Sequence, residues 1–107
     1  MATITARQLA DGQLANSIGT LYTATSVIAY VKSIVYVNTG AGTNLVNLYV
    51  KPSGGTARRI IAKNTSLLTN EAMEFDVPIV LDSGDLISGD ATSATEVDFT
   101  IYGATEA

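Results

Sequence analysis

Two acidic residues have the spacing that glycoside hydrolysis requires. Glu74 and Asp76 lie two positions apart in a segment that alternates apolar and polar residues, so a β-strand would place both carboxylates on one face, roughly 7 Å apart. Acidic side chains on the solvent face of an edge strand also prevent edge-to-edge aggregation. We interpret the pair as protection of an edge strand and predict no catalytic residue.

A second acidic segment has the side chains for a cation site. The run from Asp82 to Asp90 holds three aspartates around two glycines. It lacks the one-three-five oxygen spacing and the terminal glutamate of an EF-hand, so ordinary turn chemistry is expected and a Ca²⁺ site is left as an open alternative. Neither the Gly-rich phosphate loop nor the dinucleotide-binding fingerprint occurs. No metal-binding and no cofactor-binding residue is predicted.

The amino-acid composition excludes most enzyme classes. The 107 residues include no His, no Cys and no Trp. Without His the chain lacks the commonest general base and metal ligand, and without Cys it lacks thiolate nucleophiles, zinc–thiolate sites and disulfides. Carboxylates, Lys, Arg, Tyr, Ser and Thr remain, and they form no catalytic motif. The sequence therefore predicts a protein that is not an enzyme.

Charged residues are distributed unevenly along the chain. Residues 1–63 hold all six basic residues and one acid, a net charge of +5, whereas residues 64–107 hold nine acids and no base, a net charge of −9. Either the strands of the two halves interleave and the charges mix, or the molecule has two poles suited to packing against its own copies. Six scattered bases do not form the basic stripe of a nucleic-acid-binding protein.

Neither a signal peptide nor a membrane span is predicted. The first residues have no basic region followed by an apolar one. The longest apolar stretch, residues 27–37, is interrupted by Lys32 and Ser33 and is much shorter than the roughly 20 residues of a spanning helix. We expect synthesis in a cytoplasm and no membrane partner.

Alternation with a period of two predicts β-strands over most of the chain. From Met73 to Asp82 the odd positions are apolar and the even positions mostly acidic, as in a half-buried antiparallel strand, with Pro78 indicating an edge position or a bulge. From Val27 to Asn38 both sets of positions are apolar or aromatic, which predicts a central strand covered on both faces. Further strands are predicted at 18–24, 44–51, 58–62, 86–88 and 96–103.

These elements predict an all-β chain with a single antiparallel β-sandwich or jelly roll of six to eight short strands. The sandwich is expected over residues 17–107. Residues 1–16 fit neither a strand nor a helix throughout, so we expect an extended N-terminal arm. Such an arm is either a frayed tail or a segment that orders against a neighbouring subunit. In both cases the domain would stay folded without residues 1–14.

Partner contacts are predicted in two places. In the arm, Arg7 and the isolated apolar residues Leu9 and Leu14 would anchor an extended segment on a neighbour. Arg58 and Arg59 stand beside an apolar strand, so one of them is expected to face inward or into a contact, where Arg is enriched. An ordinary surface ion pair is the alternative for these two arginines.

A series of short motifs runs in a recognisable order through almost the whole chain. The motifs are Leu9-Ala-Asp-Gly-Gln-Leu14, Gly19-Thr-Leu-Tyr-Thr23, Val31-Lys-Ser-Ile34, Val37-Asn-Thr-Gly40, Val46-Asn-Leu-Tyr-Val-Lys-Pro-Ser-Gly-Gly55, Arg58-Arg-Ile-Ile61, Glu74-Phe75 and Gly84-Asp-Leu-Ile-Ser-Gly-Asp90. The series resembles a family of small tailed-phage and prophage proteins of about this length. It departs from that family after Thr23, where a proline is common and this chain has Ala24-Thr25-Ser26.

The resemblance implies a small β-sandwich protein of the virion that decorates or cements the capsid. The implied partners are the major capsid protein or other virion proteins, together with further copies of the chain, for which a trimer is favoured. A neck, tail or receptor-binding accessory protein is the nearest alternative. A carbohydrate-binding jelly roll is a second alternative, and the absence of Trp counts against it.

Overall fold

The alternating pattern forms ten β-strands in the computed structural model, which describes residues 3–107. These residues contain no α-helix, and accordingly no helix long and apolar enough to cross a membrane. The prediction of an all-β antiparallel sandwich is confirmed, with more strands than the six to eight expected. The strands are β1 (Ile4–Gln13), β2 (Gly19–Thr23), β3 (Ile28–Asn38), β4 (Asn44–Lys51), β5 (Arg58–Arg59), β6 (Thr65–Leu67), β7 (Ala72–Phe75), β8 (Ile79–Leu81), β9 (Leu86–Asp90) and β10 (Val97–Glu106).

The strands form two five-stranded sheets in which every pairing is antiparallel. In sheet A the order is β1-β10-β3-β7, and β8 also pairs with β3. In sheet B the order is β2-β9-β4-β5, and β6 also pairs with β4. Strands from the two halves of the sequence interleave, because β10 lies between β1 and β3 and β9 lies between β2 and β4. The predicted central strand, β3, has neighbours on both sides.

The core lies between the two sheets and takes alternate residues from each strand. Apolar side chains from both sheets pack together there, as the period of two requires. Leu14 and Ala24 join them from the ends of β1 and β2. The buried apolar residues are Leu14, Ala24, Ala29, Val31, Ile34, Tyr36, Val46, Leu48, Leu67, Leu81, Ile87, Ala91, Val97, Phe99 and Ile101.

A β-bulge in β3 changes which residues of this strand face the core. The register with β10 shifts between Tyr102 and Gly103, which leaves Lys32 as an extra residue. Before the bulge Ala29 and Val31 face inward, and after it Ile34 and Tyr36 do. The inward positions therefore change from odd to even along the strand, which explains why both sets are apolar. The prediction that β3 is covered on both faces is wrong. Within the chain, only the inner face of β3 is buried.

The predicted strand from Met73 to Asp82 is divided into β7 and β8, both paired with β3. The division lies opposite the bulge, where the Ser33 hydroxyl donates a hydrogen bond of 2.9 Å to Asp76 Oδ1. Pro78 also falls in the gap, and it has no N–H to donate to a ladder. Val77, expected on the apolar face, is therefore 60% exposed.

Most of the segment predicted as an N-terminal arm is a strand of the sandwich. Residues 4–13 pair with β10 along their whole length, with one bulge at Leu9. Leu14 is fully buried, its N–H donates to the Val97 carbonyl at 2.9 Å, and its own carbonyl accepts from Thr95. This corrects the expectation of a free arm over residues 1–16, because the segment completes the sheet and the core. Residues 1 and 2 lie outside the described residues.

The Tyr36 hydroxyl makes one of the buried hydrogen bonds that join the two sheets. The Tyr36 side chain reaches from sheet A to sheet B, where its hydroxyl donates to the Asn47 carbonyl oxygen at 3.0 Å. Burial, followed by the nearby Asp90 and Tyr49, raises the pKa of Tyr36 far above its ordinary value, so the hydroxyl keeps its proton. A Cβ at Gly89 would overlap this hydroxyl. Gly89 therefore supplies the space that the cross-sheet bond needs.

Substituting Gly89 tests this arrangement. We expect Gly89→Ala to lower the free energy of unfolding by about 1–3 kcal/mol, because the new methyl group displaces a buried hydroxyl. Tyr36→Phe alone should cost about 1 kcal/mol. Gly89→Ala should cost less in the Tyr36→Phe background, since the displaced hydroxyl is then absent. Urea denaturation of the four proteins measures this coupling.

Gly42→Ala is the control, because a Cβ there meets no atom within 4 Å. Its free energy of unfolding should stay within about 0.5 kcal/mol of the original. Strictly additive effects of Gly89→Ala and Tyr36→Phe would show that the glycine and the hydroxyl do not share one space.

The position of Leu14 gives a second test of the fold. Leu14→Ala should lower the free energy of unfolding by about 2–5 kcal/mol, because it leaves a cavity in the core. Ile4→Ala, at the other end of β1 where the side chain is 66% exposed, should cost less than about 0.5 kcal/mol. Denaturation curves of the two variants provide the comparison. A negligible effect at Leu14 would contradict its place in the core and favour the free arm.

Candidate interaction surface on the outer face of sheet A

One end of the outer face of sheet A is apolar. Val80, Tyr30, Ala104 and Ala6 are register partners across β8, β3, β10 and β1, and so form one row. Adjacent strands are about 4.8 Å apart, so neighbouring side chains in the row are in contact range. The next row toward the end of the sheet contains Ile28 and Ile4 on either side of Glu106. We call Ile4, Ala6, Ile28, Tyr30, Val80 and Ala104 the apolar half of this face.

The apolar half is open to solvent in this chain. Ile4 is 66% exposed, Val80 60% and Ile28 36%, and Tyr102 is 46% exposed in the adjoining row. Single apolar residues on a surface are ordinary, whereas a contiguous group of them marks a site of contact with another molecule. The rows of register partners make this group contiguous. The apolar half is therefore the strongest candidate for a binding surface on the described residues.

The one carboxylate within the apolar half is already bonded. The Tyr30 hydroxyl donates to Glu106 Oε1, and the two side chains lie on neighbouring strands. The bond to this carboxylate raises the pKa of Tyr30, with smaller contributions from burial and from the negative charge of Glu106. The carboxylate therefore already has a hydrogen-bond partner within the chain, and the surrounding side chains remain free for apolar contact.

The opposite end of the same face is acidic. Glu74, Val35, Thr100 and Asp11 form one row of register partners, and Asp98 stands in the next row. Gln13 donates a hydrogen bond of 3.1 Å to Asp98 Oδ1. The rows hold no lysine or arginine. We call Asp11, Glu74, Asp98, Val35, Val37 and Thr100 the acidic half; the bulge at Lys32 and Ser33 separates it from the apolar half.

The outer face of sheet B is closed by its own chain. Asn47 and Tyr49 point away from the core, yet both are buried beneath residues 58–64. Asn47 Nδ2 donates to Asp90 Oδ1 at 2.8 Å and to the Asn64 side-chain oxygen at 3.1 Å, and the Tyr49 hydroxyl donates to Asp90 Oδ2 at 3.1 Å. These mutually bonded polar groups close the middle of this face, and Leu45 is the exposed apolar residue beside them on β4.

Arg59 lies on top of this network. Its guanidinium carbon is 5.1 Å from the centre of the Tyr49 ring, a cation–π distance, and an N–H reaches the hydroxyl of that ring. Burial and the bond to Asp90 raise the pKa of Tyr49, while the positive charge of Arg59 lowers it by a smaller amount. The arginine is thus held on the surface with its charge toward solvent.

The five predicted contact residues are not brought together. Arg7 and Leu9 line a cleft of about 240 Å³ beside Tyr22, at the open edge between β1 and β2. Leu14 is in the core and is closed to a partner. Arg58 and Arg59 form β5 at the far edge of sheet B. Both side chains are exposed on this edge strand, with Arg59 on the outer face beside Tyr49 and Arg58 on the opposite face beside Val50.

The acidic pairs considered from the sequence take part in local structure. Asp76 accepts from Ser33, and Asp85 accepts from the N–H groups of Ser53 and Asp82 at 2.9 and 3.1 Å. Asp90 is bonded to Asn47 and Tyr49. Among residues 3–107 no three potential ligands are grouped closely enough to hold a metal ion. The described acids thus act as turn and network residues, and nothing in their arrangement indicates a reaction.

Sequence reasoning missed the residues of the apolar half. The second apolar set of β3 was the available signal, but the predicted strand was expected to be covered on both faces. Ile4 and Ala6 were assigned to an arm, and Val80 was placed on the polar side of a single long strand. Only the pairing of four strands from distant parts of the chain brings these residues into one surface.

Comparison with known proteins identifies the fold. No protein-family model and no curated protein matches the chain. A chain from the disulfide-linked pili of Bacillus endospore appendages superposes with a TM-score of 0.62 at 18% identity, over 98% of this chain and 88% of that one. A chain from the capsid of Helicobacter pylori bacteriophage KHP30 gives 0.55 at 12% identity, over 100% and 94%.

A chain of the T13 particle of IBDV gives a TM-score of 0.50 at 13% identity, over 98% of this chain but only 30% of the longer viral one. At such identities the likeness concerns the fold alone. The chain thus has a β-sandwich fold that also occurs in capsid structures and in a pilus.

Proposed function

We propose that this chain is a non-enzymatic structural protein of a phage virion, a decoration or cement protein that binds the major capsid protein and bridges shell subunits. The observation that carries the proposal is the apolar half of the outer face of sheet A, which the chain leaves exposed on a fold that also occurs in capsid structures. Ile4, Val80 and Ile28 would supply the apolar contact.

The apolar half is large enough for a modest contact. Ten residues along β1, across four strands with β1 included, give the whole outer face of sheet A an area of roughly 34 by 19 Å, or about 650 Å², of which the apolar half is roughly one half. A standard protein interface buries about 800 Å² on each partner, so one contact through the apolar half is smaller than the standard. Each such contact can be modest, because a shell offers many equivalent sites and a bridging protein holds neighbouring subunits together.

Two other functions would use the same surface. A neck, tail or receptor-binding accessory protein would place it against a different virion component. The likeness to the endospore pilus chain, at a TM-score of 0.62, favours a filament subunit as a second candidate, in which the surface would contact the next subunit. Electron microscopy of the concentrated protein would show filaments in that case.

Co-sedimentation with empty shells tests the proposal. The shells are assembled from the major capsid protein of the genome that encodes this chain. We expect the chain to sediment with the shells and to saturate, and Val80→Asp to weaken binding at least tenfold. Replacing a buried valine by a charge forfeits about 1.5–3 kcal/mol of apolar burial before desolvation is counted. The melting temperature should be unchanged, since the side chain is exposed.

Ile18→Asp is the matched control, because Ile18 is also β-branched and 52% exposed but precedes β2 on sheet B. This variant should bind shells as tightly as the original chain. Equal losses at both positions would contradict the assignment of the surface. Failure to sediment with shells, together with binding to isolated tails or to a glycan array, would replace the proposed function by one of its alternatives.

A further inference from the structure

The outer face of sheet A and the β5 side of sheet B carry opposite charge. The outer face of sheet A presents five acids and one lysine, while the outer face of sheet B, its exposed edge strand β5 and the loop after it present four bases and one acid. On sheet A these are Asp11, Glu74, Asp76, Asp98, Glu106 and Lys32; on the β5 side of sheet B they are Lys51, Arg58, Arg59, Lys63 and Asp90. The strands of the two sequence halves interleave, and the acids and bases nevertheless stay largely separate.

The bases on sheet B have little to neutralise them within the chain. Asp90 is the acid among them, and both of its oxygens already accept hydrogen bonds from Asn47 and Tyr49. Arg58 and Arg59 are exposed on the two-residue edge strand β5. The stacking of Arg59 on Tyr49 keeps its guanidinium at the surface before any partner arrives. We call Lys51, Arg58, Arg59 and Lys63 the basic surface.

We propose that the acidic half of one copy binds the basic surface of a second copy. The charges are complementary, and Val35 and Val37 lie half-buried between the acids, so the contact would have an apolar centre within a charged rim. The two surfaces differ, so the contact is heterologous: a pair of copies keeps one free acidic half and one free basic surface. Such contacts close into a ring or extend into a chain.

This inference goes beyond the proposed function, because it concerns contact between copies in the absence of any shell. It also leaves the apolar half free, on the other side of the bulge. Exposed ion pairs are individually weak and are screened by salt, with a screening length of about 10 Å at 0.1 M and about 3 Å at 1 M. Association should therefore be reversible and should weaken steeply as salt is added.

Sedimentation equilibrium on charge-reversed variants tests the inference. Arg58→Glu with Arg59→Glu makes the basic surface acidic, and Asp11→Lys with Glu74→Lys makes the acidic half basic. Each variant alone should associate at least tenfold more weakly than the original chain at 0.05 M salt. An equimolar mixture of the two should recover association, because every contact between unlike copies is again complementary. At 1 M salt both the original chain and the mixture should be monomeric.

A control separates the acidic half from the net charge of the chain. Glu71→Lys with Asp82→Lys makes the same change in net charge as Asp11→Lys with Glu74→Lys, but both residues lie outside the acidic half. This variant keeps the acidic half and the basic surface, so it should associate with itself as the original chain does. A loss of association equal to that of the Asp11→Lys, Glu74→Lys variant would overturn the inference, as would an original chain that stays monomeric at 0.05 M salt.

The two proposals fail separately. Val80→Asp, which removes an apolar contact and leaves the acidic half intact, should associate with itself as the original chain does while losing affinity for shells. Loss of self-association in Val80→Asp would show that the apolar half makes the contact between copies, and the inference would be rejected.

Discussion

The β-bulge at Lys32 is the local constraint on which most of the surface depends. One extra residue in β3 reverses the direction in which every later side chain points. The core therefore receives Val31 before the bulge and Ile34 after it. Gly103 permits this, because a Cβ there would meet the backbone of Tyr30. The same irregularity interrupts the neighbouring edge strand into β7 and β8. It also divides the outer face of sheet A into an apolar and an acidic half.

A hydrogen bond from Tyr36 across the core fixes the position of one sheet relative to the other. Tyr36 follows the bulge on β3, and its inward position is a consequence of the shift. Its hydroxyl reaches Asn47 of sheet B because Gly89 has no side chain. A buried polar group must find a partner, and this one finds it across the sandwich. The bond thus couples the local geometry of one strand to the placement of the opposite sheet, and so to the surfaces on both sides.

The two sheets expose surfaces of different character. On sheet B the outward polar side chains of Asn47 and Tyr49 bond to their neighbours beneath residues 58–64, which covers the middle of this face. On sheet A none of residues 3–107 covers the outer face of β3 and β10, and their apolar and acidic side chains remain available. A contiguous group of exposed apolar side chains of this kind marks a site of contact with another molecule.

The sequence by itself determined most of the strands, the antiparallel sandwich and the scarcity of catalytic groups, because alternation and composition are local properties that can be read residue by residue. Met73 to Leu81 keeps its inward set, Met73, Phe75, Ile79 and Leu81, even across the gap. Only the tertiary structure decided that residues 4–13 are a strand, since their partner β10 lies some ninety residues later. It alone decided which face of β3 is open, because two apolar sets in one strand fit either a bulge or cover on both faces, and only the pairing with β10 distinguishes them. The separation of charge between the sheets was likewise settled by strand order, which no stretch of sequence contains.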